Sequence, residues 1–139
     1  MTRVDFYVVK EAGTNARLLV AARLADKAVQ RGHRVFIHTD SEDHARALDE
    51  TLWSFRDHSF LPHALASDMT DEPVVIGWGQ TPEHHDDVLI NLSLDIAPFF
   101  SRFQRLAEVV TQDEKSLASL REAWRYYRDR GYPLHKHDL

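Results

Sequence analysis

Cysteine is absent from this 139-residue sequence, which excludes disulfide bonds, thiolate metal ligands and a cysteine nucleophile. A chain without cysteine fits a reducing cytosol, and we expect a cytoplasmic protein. No apolar run approaches the roughly 18 residues that a membrane span needs, and the first residues lack the apolar core of a signal peptide. We therefore expect neither a membrane contact nor secretion.

The sequence also lacks an excess of basic residues. It has 17 Lys and Arg against 22 Asp and Glu, a formal net charge of −5. Broad binding to nucleic-acid backbones depends on clustered Lys and Arg. The sequence does not show a strand surface with interleaved aromatic and basic residues either. We expect no strong direct nucleic-acid binding, although local basic faces remain compatible with the composition.

Glycine-rich phosphate loops are missing as well. The turn after the first apolar segment, residues 10–15, contains one glycine beside Glu11 and matches neither Gly-x-Gly-x-x-Gly nor a Walker sequence. Asp5 lies near the start of that segment, whereas ligands of open parallel sheets bind beyond the carboxyl ends of the strands. Asp40 is better explained as a helix cap and Asp95 as a turn residue. These observations predict no catalysis and no cofactor.

Histidine is plentiful, with nine in the chain, and two runs combine it with potential metal ligands. These are His-His-Asp-Asp at residues 84–87 and His-x-His at residues 135–137. Adjacent histidines on a loop seldom converge on one ion without a rigid scaffold and supporting hydrogen bonds. We interpret both runs as solvated surface and predict no metal site.

The apolar segments predict an α/β fold. Strands are predicted at residues 3–9, 34–38, 74–78, 88–92 and 105–110, and helices at 16–30, 42–52 and 112–130, with a short helix near 98–103. This alternation predicts one Rossmann-like, three-layer domain over residues 1–139, with a mostly parallel five-stranded sheet. The strand at 88–92 is expected to be internal, and residues 132–139 to form a flexible, frayed tail.

Cap residues predict where the helices begin and end. Thr14 or Asn15 suits the start of the first helix, and Asp40 or Ser41 that of the second. Thr-Gln-Asp-Glu at residues 111–114 spells a capping box for the last helix. Gly32 is placed to end the first helix in the left-handed conformation.

The segment after the second helix is unusually aromatic. Trp53, Phe55 and Phe60 fall close together, and Pro62 restricts the backbone beside them. Large aromatic residues in such a segment either fold back on the core or form part of a partner surface. Both interpretations of Trp53 remain open from the sequence.

The last predicted helix carries two adjacent stripes. Leu117, Leu120, Trp124 and Tyr127 recur at helical spacing and predict a core-facing stripe. The second stripe is basic and contains Arg121, Arg125 and Arg128. It is explained either as a solvated charged face or as a dock for an acidic, partly apolar peptide, because Arg binds carboxylates in a two-pronged geometry.

Several motifs, in order, resemble the chi subunit family of bacterial DNA polymerase III. They are Leu-Asp-Glu-x-Leu-Trp at residues 48–53, Ser-Phe-Leu-Pro-His at 59–63, Val-Asp-Phe-Tyr at 4–7, Gly-His-Arg-Val at 32–35, Val-Leu-Ile-Asn-Leu at 88–92, and residues 121–128 followed by Gly131. The resemblance covers nearly the whole chain, and its specificity comes from the order and spacing of the motifs together.

The resemblance implies a non-enzymatic adaptor, an accessory subunit of a DNA-directed DNA polymerase. Such proteins link the clamp loader, through the psi subunit, to the acidic C-terminal tail of single-stranded DNA-binding protein. The resemblance places Val110, Arg121 and Trp124 in the tail site, and Lys115, Arg125 and Arg128 would attract the acidic residues of the tail. It places Trp53, Phe60, Pro62 and His63 at the psi face. In one departure, Leu117 stands where related proteins can carry a Lys.

The alternative is an α/β nucleotide-binding protein or hydrolase with a site at the carboxyl edge of the sheet.

Overall fold

The computed structural model describes residues 1–55, 61–66, 71–82 and 84–139. These residues form one α/β domain with three α-helices and seven β-strands. In chain order the elements are β1 (Arg3–Val8), α1 (Thr14–Gln30), β2 (Val35–His38), α2 (Glu42–Ser54), β3 (His63–Leu65), β4 (Val74–Gly77), β5 (Val88–Asn91), β6 (Arg105–Val110), α3 (Glu114–Asp129) and β7 (Leu134–Asp138). A short 3₁₀ helix, Phe100–Arg102, lies between β5 and β6.

All the strands belong to one parallel sheet in the order β3-β4-β2-β5-β6-β1-β7. The predicted α/β fold is confirmed, and β5 is internal as expected, since β2 and β6 flank it. The five predicted strands are β1, β2, β4, β5 and β6. The sheet has two more, β3 and β7, and both lie at its edges.

The prediction of a frayed tail over residues 132–139 is wrong. β7 pairs with β1 from Val4 opposite Leu134 to Val8 opposite Asp138. The pairing continues at both ends, where the Val4 amide donates to the Pro133 carbonyl oxygen at 3.0 Å and the Leu139 amide to that of Val8 at 3.0 Å. The tail is ordered because it satisfies backbone groups of β1 that would otherwise face solvent.

The sheet separates two apolar layers. On one face, α1 and α2 pack over alternate strand residues such as Val35 and Ile37. On the other, α3 and the 3₁₀ helix cover residues such as Phe6, Phe36 and Leu89. Strand residues alternate between the faces, so the continuous apolar runs of β2 and β5 are buried on both sides. No helix in the described part of the chain is long and apolar enough to cross a membrane.

The helix ends match the sequence only in part. Gly32, with φ of 86°, follows the C-cap of α1 as predicted. Ser41 caps α2 and accepts a hydrogen bond from the His44 amide. The cap predictions for α1 and α3 are wrong. Gly13 precedes α1, and α3 starts at Glu114 after Asp113, because Thr111 donates its hydroxyl to the Asp113 carboxylate instead.

Candidate partner-binding surfaces

A groove runs between α3 and the edge strand β7, and we call it the α3–β7 groove. Its volume is about 340 Å³. The residues that line it are Leu120, Arg121, Trp124, Arg125, Arg128 and Lys136. Four of the six predicted tail-site residues therefore come together there, namely Arg121, Trp124, Arg125 and Arg128. The groove combines an apolar wall with basic side chains.

Packing beneath α3 holds Trp124 in position. Its ring centroid lies 5.1 Å from that of Phe6 on β1, and the side chain is half-buried. Tyr127, one turn further along, is fully buried and contacts Phe6 and Phe100. One flank of Trp124 is thus anchored in the core, while another flank lines the groove.

The basic side chains of the groove differ in their partners. Arg128 pairs with Asp129 at 3.2 Å, and Lys136 pairs with Asp138 at 3.5 Å. Arg121 and Arg125 are exposed and form no ion pair with any of the described residues. These two guanidinium groups are therefore available to an anionic partner.

Two other predicted tail-site residues lie outside the groove. Val110 ends β6, is 4% exposed, and lines a smaller cavity that shares Leu120 with the groove. Lys115 is exposed in the first turn of α3 and does not line the groove. Lys136 is a groove residue that the sequence does not predict, because residues 132–139 carry no apolar alternation that would indicate a strand.

A second surface forms where α2 ends beside β3, and we call it the α2–β3 surface. Trp53, in the last turn of α2, is 57% exposed, which favours the surface interpretation over the core one. Its ring meets that of His63 edge-on, with 4.7 Å between the centroids. Pro62 is half-buried beside them. Phe60, the fourth residue predicted here, lies outside the described residues.

His63 is the buried support of this surface. The residue is 9% exposed, its Nδ1 lies 2.6 Å from the Leu61 carbonyl oxygen, and its Nε2 lies 3.1 Å from Asp49 Oδ1. These contacts connect β3 to α2 and fix the ring against which Trp53 packs. His63 therefore positions the surface rather than facing a partner.

At the carboxyl edge of the sheet, where a nucleotide would bind in this fold class, a side chain of the protein itself occupies the start of α1. The amide of Gly13, just before α1, donates to Asp113 Oδ2 at 3.0 Å. The Thr111 hydroxyl donates to the same oxygen at 2.6 Å, and these bonds hold the pKa of Asp113 below its ordinary value. A carboxylate of the chain itself thus occupies the helix terminus that could attract a phosphate.

Beneath that edge lies a buried polar group. Glu108, on β6, accepts hydrogen bonds from the Tyr127 hydroxyl at 2.6 Å and from Asn91 Nδ2 at 3.0 Å. Burial raises its pKa to about 7. The adjoining cavities measure only about 20 and 50 Å³, which is far less than a nucleotide needs.

Acidic and histidine side chains do not converge on a metal-binding geometry in the described ranges. Asp5 is 2% exposed and its carboxylate contacts Arg3, Arg105 and His137 at 2.8–3.2 Å. Burial alone would raise the pKa of Asp5, but the hydrogen bonds from these three residues lower it below its ordinary value. His85 is buried against Phe36, whereas His84 is exposed.

Together, the parallel sheet and the two surfaces at its ends define a Rossmann-like α/β protein that presents one basic, partly apolar groove and one exposed aromatic surface. The model of the family described as "DNA polymerase III chi subunit, HolC" matches residues 1–135. The chain belongs to this family.

Curated proteins named DNA polymerase III subunit chi are similar along nearly their whole length. The one from Pseudomonas aeruginosa is 45% identical over 139 residues, covering 100% of this chain and 98% of that protein. The one from Haemophilus influenzae is 31% identical over 94% of this chain and 92% of that protein. The one from Escherichia coli is 31% identical over 96% of each.

Proposed function

We propose that this chain is a non-enzymatic, cytoplasmic adaptor of the replication machinery. One end binds the psi subunit of DNA polymerase III and so joins the clamp loader. The other end binds the acidic C-terminal tail of single-stranded DNA-binding protein. Membership of the chi family supports the assignment to the polymerase, and the two surfaces support the assignment of partners.

The observation that carries the tail assignment is the α3–β7 groove. A peptide that ends in an apolar residue and a carboxylate needs an apolar wall beside a bidentate cation. The flank of Trp124 supplies the wall, and the exposed guanidinium of Arg121, one turn away, supplies the cation. Arg125, Arg128 and Lys136 attract the acidic residues upstream. Two assigned residues lie outside the groove. Lys115 contributes long-range charge, and Val110 contributes packing beneath Leu120.

The α2–β3 surface suits an apolar partner. Trp53 projects from α2 with more than half of its surface exposed, and its inner edge rests on the fixed ring of His63. A rigid, exposed Trp is a typical anchor residue of protein interfaces. We assign this surface, with Trp53, Pro62 and His63, to the psi subunit, and the family resemblance adds Phe60, which lies outside the described residues.

The alternative function, nucleotide binding or hydrolysis at the carboxyl edge, has less support. Phosphate binding there would require displacing Asp113 from Gly13 and Thr111, and it would place two negative charges side by side. A phosphate-binding turn would also need more glycines. The turn at residues 10–15 has only one.

Titration calorimetry with a peptide that copies the acidic tail tests the tail assignment. Arg121→Ala is expected to weaken binding by about 1–3 kcal/mol, because it removes a charge-assisted, two-pronged contact. Arg121→Lys should restore only part of the affinity, since an ammonium group lacks the fork.

Arg23→Ala is the matched control, because Arg23 is also exposed but lies on α1, on the other face of the sheet. It removes the same charge and should leave the affinity nearly unchanged. Equal affinities for wild type and Arg121→Ala would show that the basic stripe of α3 is only a solvated face.

A further inference from the structure

In the described part of the chain, one flank of the sheet has no helix packed closely over it on one of its two faces. On the face that carries α1 and α2, α1 packs over β6, β5 and β2, and β1 and β7 lie beyond it. Tyr7 and His137 stand opposite each other on these two strands. Their rings are stacked, with 4.7 Å between the centroids and 14° between the planes. The pair exists only because residues 134–138 form a strand.

Beside Tyr7, a cleft opens between α1 and the amino-terminal halves of β5, β6 and β1. Its volume is about 130 Å³. Leu24 and Ala28 of α1 and Val88 and Ile90 of β5 contribute apolar lining. An engineered apolar cavity of about 150 Å³ accepts benzene, so this cleft has room for a single planar ring. Such a ring would extend the stack formed by Tyr7 and His137.

Cations lie along the α1 side of the cleft. Lys27 of α1 and Arg31, the residue that caps its C-terminal end, both line it and form no ion pair with any residue in the described ranges. Arg23 precedes them by another four residues, so three cations form a row along one side of α1, with about 6 Å of rise between neighbours. A cation near the C-terminal end of a helix is favourable even without a ligand, because it offsets the helix dipole, and Lys27 is such a cation. The charge of Lys27 therefore indicates a ligand only in combination with the ring-sized cleft.

The polar groups of the cleft distinguish between possible ligands. Asp5 lines it and receives hydrogen bonds from Arg3, Arg105 and His137. A carboxylate accepts about four such bonds, so one acceptor position is left. A nucleobase can donate an amino or ring N–H hydrogen to that position, the N3–H in the case of thymine, whereas the side chain of an acidic peptide has only acceptors and would be repelled.

We propose that this cleft binds single-stranded nucleic acid, with one base stacked beside Tyr7 and the adjoining phosphates held by Lys27 and Arg31. Single-strand sites generally combine aromatic stacking with a row of cations, and they tolerate any base. The acidic net charge of the chain keeps the contact weak and confined to this flank. The sheet face provides the interleaved aromatic and basic surface that the linear sequence does not show, because Tyr7 and His137 are 130 positions apart.

Fluorescence anisotropy of a short labelled oligothymidylate, titrated with the full chain at low salt, tests the proposal. We expect saturable binding and a loss of about tenfold or more for Lys27→Ala/Arg31→Ala. The slope of log affinity against log salt should fall in magnitude by about 1.4, which corresponds to about 0.7 for each of two phosphate contacts. Lys10→Ala/Arg46→Ala removes the same charge from exposed positions elsewhere and should change neither quantity by more than about twofold.

Stacking is tested separately. Tyr7→Phe should bind like wild type, and Tyr7→Leu should lose about 5- to 150-fold, the range for one stacked base. Tyr7 also packs against the core, so the melting temperature of each variant is recorded, and His137→Ala provides a second loss of stacking at the edge strand. Arg121→Ala, which tests the tail assignment, should leave oligonucleotide binding intact.

Equal losses in the two double variants would overturn the proposal, because they would show non-specific charge attraction. An acidic peptide that binds wild type but not Lys27→Ala/Arg31→Ala, in the absence of oligonucleotide binding, would overturn it as well.

Discussion

Glu108 shows how one residue can make the stability of this chain depend on pH. Its carboxyl group is fully buried under α3 and between the donors Tyr127 and Asn91, with Arg17 as an opposing charge. Burial dominates and raises its pKa from the ordinary 4.5 to about 7. The folded state therefore binds this proton more tightly than the unfolded state does. The resulting stabilisation is complete below about pH 4.5 and is lost as the pH rises through about 7.

Glu108→Gln should remove this dependence, because an amide does not titrate. We expect the free energy of unfolding of the variant, relative to wild type, to rise by up to about 3 kcal/mol between pH 4.5 and pH 8, since a tenfold difference in proton affinity corresponds to about 1.4 kcal/mol. Urea denaturation at several pH values measures the difference. The comparison with wild type cancels the opposite contributions of Asp5 and Asp113, whose pKa values are lowered. A constant difference across this range would contradict the prediction.

At the scale of elements, β7 extends the sheet and builds both sides of its edge. Lys136 points toward α3 and lines the α3–β7 groove, whereas His137 points to the opposite face and stacks on Tyr7. Adjacent residues of one strand thus belong to two surfaces with different proposed ligands.

Removing residues 134–139 should therefore cost more than the loss of a frayed tail. Each lost ladder hydrogen bond contributes about 1 kcal/mol, and Leu134 leaves the apolar layer beneath α3. We expect the free energy of unfolding to fall by more than about 2 kcal/mol in chemical denaturation. Deleting Leu139 alone removes one backbone bond to Val8 and is the control with a smaller effect. If both truncations match wild type, β7 does not contribute to stability.

The elements that the sequence does not predict share a physical cause. β2, β4 and β5 are predictable because their apolar runs reflect burial on both faces. β1 and β6 are predictable because they are largely apolar, although each contains one buried acid, Asp5 or Glu108. β3 has three residues, and β7 reads Leu-His-Lys-His-Asp, so neither carries that signal. Edge strands are held by backbone pairing on one side and need little apolar surface. The proposed binding sites are predictable to the same extent. The basic stripe of α3 is visible in the sequence, because it repeats along one helix. The positions of Lys136 and of the Tyr7–His137 pair are not, because they depend on which strands are neighbours.

At the scale of the whole molecule, the sheet separates the two proposed protein partners. β3 is one edge and β7 is the other, with five strands between them. At about 4.8 Å per spacing, the edges are about 29 Å apart. The two partners should therefore bind without touching each other, and screening at physiological salt, with a Debye length of about 8 Å, suppresses charge effects across that distance.

Simultaneous and independent binding is the resulting prediction. Calorimetry should give a tail-peptide affinity for the psi-saturated chain within about twofold of that for the free chain. The reason is that none of the described helices and strands belongs to both surfaces. Trp53→Ala should weaken psi binding by about 1–3 kcal/mol, the range for an interface anchor, while its fold and its tail affinity stay as in wild type. Arg121→Ala should show the reverse pattern. If psi changes the tail affinity by tenfold, the two ends are coupled by about 1.4 kcal/mol, and the sheet must transmit a change in its arrangement from one edge to the other.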